Sequence, residues 1–182
     1  MDRPQAETTA VLKAQRGDVE AYAAIVRAYQ QTAFRAAYLV TRNAADAEEA
    51  VQDAFVKAWQ ALRRFDNTRP LRPWLLRIVV NEARNRRRSA GRHNAIAQRA
   101  IDEASGGAVP PPEASVGARD LSKTMLNAVD SLPEEHRLVV AARYFLDLSE
   151  SETASVLQLR AGTVKSRLSR ALARLREELE AQ

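Results

Sequence analysis

The stretch ASGGAVPPPEASVG, residues 104–117, holds three glycines and three consecutive prolines. Proline lacks the backbone N–H that a helix or a central strand needs, and glycine adds backbone freedom that a regular element must freeze. No element can run through this stretch, so it reads as a linker, and each side must bury a core of its own. The expected division is a tail over 1–14, a first domain over 15–92, a linker over 93–119 and a second domain over 120–182. Alanine, leucine, arginine and glutamate dominate both sides, which favours helix. The predicted fold class is all-α: two small helical domains, one a bundle and one a helix-turn-helix, joined by a flexible linker.

Apolar periodicity places the helices. From Asp18 to about Tyr38 the apolar positions are Ala21, Ile25, Ala28, Tyr29, Ala33, Ala36, Ala37 and Val40. Asp46 is the expected cap of a second helix to about Phe65, with Ala47, Ala50, Val51, Ala54, Phe55, Ala58 and Leu62 on one stripe. Both have the rhythm of an amphipathic helix. The loop FDNTRPLRP follows, broken by two prolines. A third helix is expected from near Pro73, where proline fits the first turn, to about Arg88. Four shorter helices are expected over about 119–130, 134–146, 150–158 and 162–180. Ser149 and Glu152 have the spacing of a capping box at the head of the third of these. A short capped helix, a tight turn and a longer helix make the outline of a helix-turn-helix.

Composition excludes several functions. There is no cysteine, so disulfides, thiol catalysis and cysteine–zinc sites are out, and a reducing compartment is expected. The N-terminus MDRPQAETTA has no apolar core of a signal peptide. No apolar run approaches the ~18 residues of a membrane span. The expectation is a soluble cytoplasmic protein without membrane insertion. His93 and His136 stand alone in different domains, no Glu-x-x-His accompanies the carboxylates, and no glycine-rich phosphate loop is present. Neither catalysis nor a metal nor a cofactor is expected.

Charge is distributed in blocks. Residues 43–53 hold Asp46, Glu48, Glu49 and Asp53 and no base, whereas residues 66–99 hold nine arginines against two acids. Residues 100–122 turn acidic again, with Asp102, Glu103, Glu113 and Asp120 against one arginine. Separate surfaces for separate partners are implied, and the basic ones suit a polyanion. In the last helix, RAGTVKSRLSRALARLREELE, a step of roughly 100° per residue gathers Val164, Leu168, Ala171, Leu172, Leu175 and Leu179 into one inward sector. Thr163, Ser166, Ser169 and Arg170 fall opposite, with Lys165 and Arg176 on one flank and Arg167 and Arg174 on the other. Small hydroxylic side chains with flanking cations suit a helix in the major groove. The plainer alternative is a solvated basic face.

These segments resemble a known family. LPEEHRLVVAARYFLDLSESETASVLQLRAGTVKSRLSRALARLREEL is similar to region 4 of bacterial sigma-70 family factors, above all the extracytoplasmic-function (ECF) group. GDVEAYAAIVRAYQ, DAEEAVQDAFVKAWQALRRFD and RPWLLRIVVNEARNRRR are similar to region 2, in the right order. The resemblance covers about 15–92 and 120–180. It implies a promoter-specificity subunit of RNA polymerase whose first domain is a region 2 bundle and whose second is a region 4 helix-turn-helix.

The resemblance also implies roles. The acidic helix would bind the clamp helices of the polymerase's largest subunit through Asp46, Glu49, Gln52 and Asp53; this sequence has Glu-Ala where Asp-Leu is common. Without the resemblance these acids are a solvated helix start. The −10 promoter element would be opened by Asn67, Thr68 and Arg69 in the loop and by Trp74, Arg77, Asn81, Arg84, Asn85 and Arg88 on the next helix. Trp74 either stacks on a base or staples the helix to the core. Arg84, Arg86, Arg87 and Arg88 are phosphate contacts or a solvated helix end. The −35 duplex would be read by Arg160, Thr163, Lys165, Ser166, Arg167, Arg170 and Arg174. Arg160 stands where a small capping residue is common. The acidic linker would thread the RNA-exit path. Implied partners are core polymerase, through clamp and flap, promoter DNA and, for many members, an anti-sigma protein; no residue identifies one here. The rival reading is a helix-turn-helix regulator that binds duplex DNA without polymerase.

Overall fold

The computed structural model describes residues 5–98, 129 and 131–180, all helix or connecting loop. The chain divides into two compact units between Gly91 and Arg92. The first holds α1 (Gln5–Gln15), α2 (Val19–Thr41), α3 (Ala44–Leu62) and the greater part of α4 (Leu71–Gln98), whose last residues run past the boundary. The second holds α5 (Glu134–Val140), α6 (Glu150–Leu157) and α7 (Ala161–Glu180).

Each helix start has a local cause. Asp18 caps α2 by accepting the Ala21 N–H at 3.0 Å. Helix α3 is capped by Asn43, whose Oδ1 accepts the Asp46 N–H at 3.1 Å, so the expected cap Asp46 lies inside the first turn. Both residues are good caps by type. Arg42 decides between them: it closes α2 in the left-handed region at φ 57, and the next helix begins at once.

Two further boundaries differ from expectation. Most of the expected tail, residues 5–14, forms α1 together with Gln15. It buries Val11 and Ala14 and is tied to α2 where the Tyr29 hydroxyl donates to Glu7. Helix α4 starts at Leu71 and continues past Arg88 to Gln98. Alanine, arginine and glutamine sustain it there, and Gly91 in mid-helix costs only about 1 kcal/mol. The rest of the linker, 99–119, and nearly all of the helix expected over 119–130 lie outside the described residues.

The expected stripe of α3 is buried along its whole length, from Ala47 to Leu62. It packs on α2, which itself buries Ala33, Ala36 and Ala37. Alanines on both helices allow close approach, and this is how a chain with few aromatics fills a core. The α2 stripe is less complete, since Ala28 is exposed. Helix α4 contributes Leu71, Leu75, Leu76, Val79, Val80 and Ala83. At the end near α1, Val11, Ala14, Ile25, Leu62, Phe65 and Leu71 form one cluster.

In the second unit Val140, Ala171 and Leu175 join Val129 and Leu132. After α5 the backbone widens into a π-turn over Ala141–Phe145, with Leu146 N–H bonded to the Ala141 carbonyl at 3.0 Å. The extra residue shifts the register of the turn and Tyr144 is left 63% exposed. Ser149 and Glu152 form the expected capping box: Ser149 Oγ accepts the Glu152 N–H at 3.2 Å, and Glu152 accepts the Ser149 N–H at 2.8 Å. Gln158 ends α6 in the left-handed region at φ 58.

Candidate nucleic-acid interface

In the first unit the site begins with the loop between α3 and α4. Asp66 organises its outer half. One carboxylate oxygen accepts the Thr68 N–H at 2.9 Å and the Thr68 hydroxyl at 2.7 Å, a turn typical of aspartate. The Arg69 guanidinium lies 3.5 Å from the same side chain. The two Thr68 hydrogen bonds, above all that of the hydroxyl, hold the Asp66 carboxyl below its usual range. Thr68 and Arg69 are exposed, while the Asn67 amide turns inward and donates to Gln15 Oε1 at 2.6 Å. The three expected loop residues are therefore not equivalent.

Helix α4 carries the remaining first-unit residues. Trp74 packs tilted against Phe65 at 4.8 Å between ring centroids and borders the core, which is its stapling role. Arg77, Asn85 and Arg88 are exposed, and Asn81 and Arg84 are half-buried. Spacings of three and four residues put Trp74, Arg77, Asn81, Arg84 and Arg88 on one side of a continuous helix.

Arg86 is expected to be a phosphate contact or part of a solvated helix end. Its guanidinium turns instead onto α3, where it pairs with Glu49 and, at 3.0 Å, with Asp53. Two of the four expected polymerase-binding residues thus already hold a cation. Gln52 is exposed and Asp46 half-buried. Beside them Val56 is 58% exposed, an apolar side chain on an otherwise polar face. Sequence reading missed Gln15, Asp66 and the pairing of Arg86. Only Asp66 had a local signal, its place two residues before Thr68.

In the second unit α7 presents the predicted surface. Val164, Ala171 and Leu175 are buried, and Lys165, Ser169, Arg170 and Arg174 are exposed. Thr163 and Ser166 are half-buried, and the Ser166 hydroxyl donates back to the Thr163 carbonyl at 3.2 Å. Leu172 departs from its expected inward place and is 41% exposed. It sits one step round the helix from Ala171, beyond what the described residues of this unit cover. Arg160 is exposed, and its carbonyl accepts the Val164 N–H at 3.1 Å, so its backbone begins the helix while its side chain has no oxygen with which to cap. Arg167 reaches back to α5 and pairs with Glu135 at 2.8 Å.

Beneath this surface lies His136, 4% exposed, with no hydrogen-bond partner on either ring nitrogen. Burial is the main cause of a pKa below the usual 6.5; Arg174, Arg170 and Arg167 push the same way and Glu135 opposes them. A depressed folded-state pKa means that the unfolded chain binds the proton more readily. This stability is present above the unfolded value and is lost as pH falls through the folded one. The second unit should therefore weaken as pH falls below the usual 6.5, and His136→Leu should flatten that slope. Urea titrations followed by far-UV circular dichroism check both; an unchanged slope in the variant would show that another group titrates.

Among the described residues no group of three His, Cys, Asp or Glu is placed to hold a metal ion, and no helix is long and apolar enough to cross a membrane.

Comparison with known proteins accounts for both units. Residues 25–93 match the family model for sigma-70 region 2, and residues 122–175 match that for sigma-70 region 4. The RNA polymerase sigma factor NccH of Alcaligenes xylosoxydans xylosoxydans is 34% identical over 180 residues, covering 96% of this chain and 95% of that protein. The ECF RNA polymerase sigma-E factor of Escherichia coli K12 is 34% identical over 170 residues, covering 88% and 87%. Among solved structures, CnrH in complex with the cytosolic domain of CnrY superposes with a TM-score of 0.72 at 27% identity, covering 98% of this chain and 99% of that one. The sigma factor RpoE of Bartonella quintana, solved with the anti-sigma factor NepR, gives 0.70 at 25% identity over 87% and 96%. With two region models in order and full-length relatives at this identity, the chain belongs to the ECF group of the sigma-70 family of RNA polymerase sigma factors.

Proposed function

We propose that the chain binds core RNA polymerase and directs initiation at promoters whose −10 element is opened by residues 15–92 and whose −35 element is read by residues 120–182. The observation that carries the −35 assignment is the shape of α7. Its buried seam of Val164, Ala171 and Leu175 backs a solvent face of Lys165, Ser169, Arg170 and Arg174, behind a capped helix and a tight turn. The −10 assignment is supported by the exposed Thr68 and Arg69 and by Arg77, Asn81, Asn85 and Arg88 along α4. Single-stranded DNA binding needs cations along the backbone and a pocket for an unstacked base. The acids of α3, with Gln52, dock on the basic clamp helices by charge complementarity. The second unit meets the flap.

Such a factor has no reaction of its own and works in the cytoplasm with the polymerase. Since CnrH and RpoE were each solved with a protein bound, an anti-sigma partner is proposed here too. A regulator that binds duplex DNA alone has no use for the region 2 segment.

Pull-down with core polymerase and run-off transcription on a promoter selected by the holoenzyme from a random pool test the reading. Arg170→Ala should reduce −35-dependent initiation by about tenfold or more, and Asn81→Ala should slow opening on duplex but not on a pre-melted template. Duplex binding without any polymerase association would refute the sigma function.

A further inference from the structure

Gln15 is the last residue of α1 and lies outside the stretch 25–93 matched to region 2. Its amide is nevertheless spent entirely on the loop that follows α3. Nε2 donates to the Leu62 carbonyl at 3.0 Å and to the Phe65 carbonyl at 2.9 Å, while Oε1 accepts from Asn67 Nδ2 at 2.6 Å. The contacts are 47 to 52 residues away in sequence. Leu62 is the last residue of α3 and its carbonyl also accepts the Phe65 N–H at 3.0 Å, while the Phe65 carbonyl lies in the loop beyond the helix. Gln15 thus closes α3, starts the loop and turns the Asn67 side chain inward.

We propose that Gln15 is a positioning residue for base selection at the −10 element. Its amide fixes the inner half of the loop, Asp66 fixes the outer half, and Thr68 and Arg69 are held outward between them. Asn67 then belongs to the frame of the loop. The proposal rests on the reading that this loop meets the −10 strand. It does not depend on α1 being held in place by Gln15, because Val11 and Ala14 are buried and Glu7 accepts from Tyr29 independently.

The test uses reconstituted holoenzyme on a promoter that the wild-type holoenzyme selects from a random-sequence pool. Run-off is compared between this promoter and versions with one base changed in the −10 or the −35 element. The ratio cancels the active fraction, so a merely structural loss leaves it unchanged. Gln15→Ala should lower −10 discrimination about tenfold, with −35 discrimination unaltered. Gln15→Glu keeps the length but cannot donate to the two carbonyls, and should behave like alanine. Asn67→Ala should have a similar effect, and the double variant should lose no more than either single, as expected of groups acting as one unit. An unchanged −10 ratio in both Gln15 variants, or losses that multiply in the double variant, overturns the proposal. If the wild-type holoenzyme itself shows no −10 preference, the loop reading fails first and the proposal falls with it.

Discussion

Leu62→Ala should destabilise the first unit by about 3 kcal/mol, within the range seen when a buried leucine is truncated and the cavity cannot fully collapse. Leu62 is 1% exposed and sits among Val11, Ala14, Ile25, Phe65 and Leu71, so four elements converge on the space it would vacate. The measurement can be confined to one unit. Both tryptophans of the sequence, Trp59 and Trp74, lie in the first unit, against Tyr22 and Phe65 respectively. Tryptophan fluorescence in urea therefore reports this unit alone, while far-UV circular dichroism reports both. The fluorescence midpoint should drop and the second unit's contribution to the dichroism should stay. A fluorescence midpoint equal to wild type would mean that the cluster relaxes around the smaller side chain.

The paired reversal Glu49→Lys with Asp53→Lys should weaken binding to core polymerase by about a hundredfold or more, since close charge pairs across an interface are worth at least 1.5 kcal/mol each by coupling measurements. Folding should hardly change. The ion pairs that both acids make with Arg86 are half in solvent, and such pairs contribute little to stability. Arg86→Ala separates the two uses of these carboxylates. It removes the internal partner but leaves the acids, so it should retain polymerase binding. Equal loss in Arg86→Ala and in the double reversal would show that the acids serve only to hold α4. Affinity measured at two salt concentrations distinguishes a charged interface from an apolar one centred on Val56.

The parts of this fold that were legible in sequence are those set by neighbours in the chain. The α3 stripe, the capping box at Ser149 and the seam through Val164, Ala171 and Leu175 all follow from residues within a few turns of one another. What was not legible depends on distant partners. Helix α1 buries only Val11 and Ala14, too few for a periodic signal, and it is held by packing on α2 and α3. Gln15 and Arg86 look like ordinary surface residues until residues about 50 and 35 positions away are brought beside them. The cap at Asn43 was missed because it follows from the left-handed backbone of Arg42, a residue type that does not announce one. Leu172 shows the opposite failure: its sequence pattern is sound, but no element among the described residues covers it.

The buried alanines of α2 and α3 have a consequence for recognition. Alanine has no rotamers, so the buried Ala33, Ala36 and Ala37 of α2 and Ala47, Ala50, Ala54 and Ala58 of α3 have no side-chain freedom to lose or regain. Those positions cannot yield by changing rotamer. The carboxylates on the opposite face of α3 are therefore carried on a backbone ordered before any partner arrives. A partner that docks there has little ordering entropy to supply on this side, and its affinity reflects the contacts themselves.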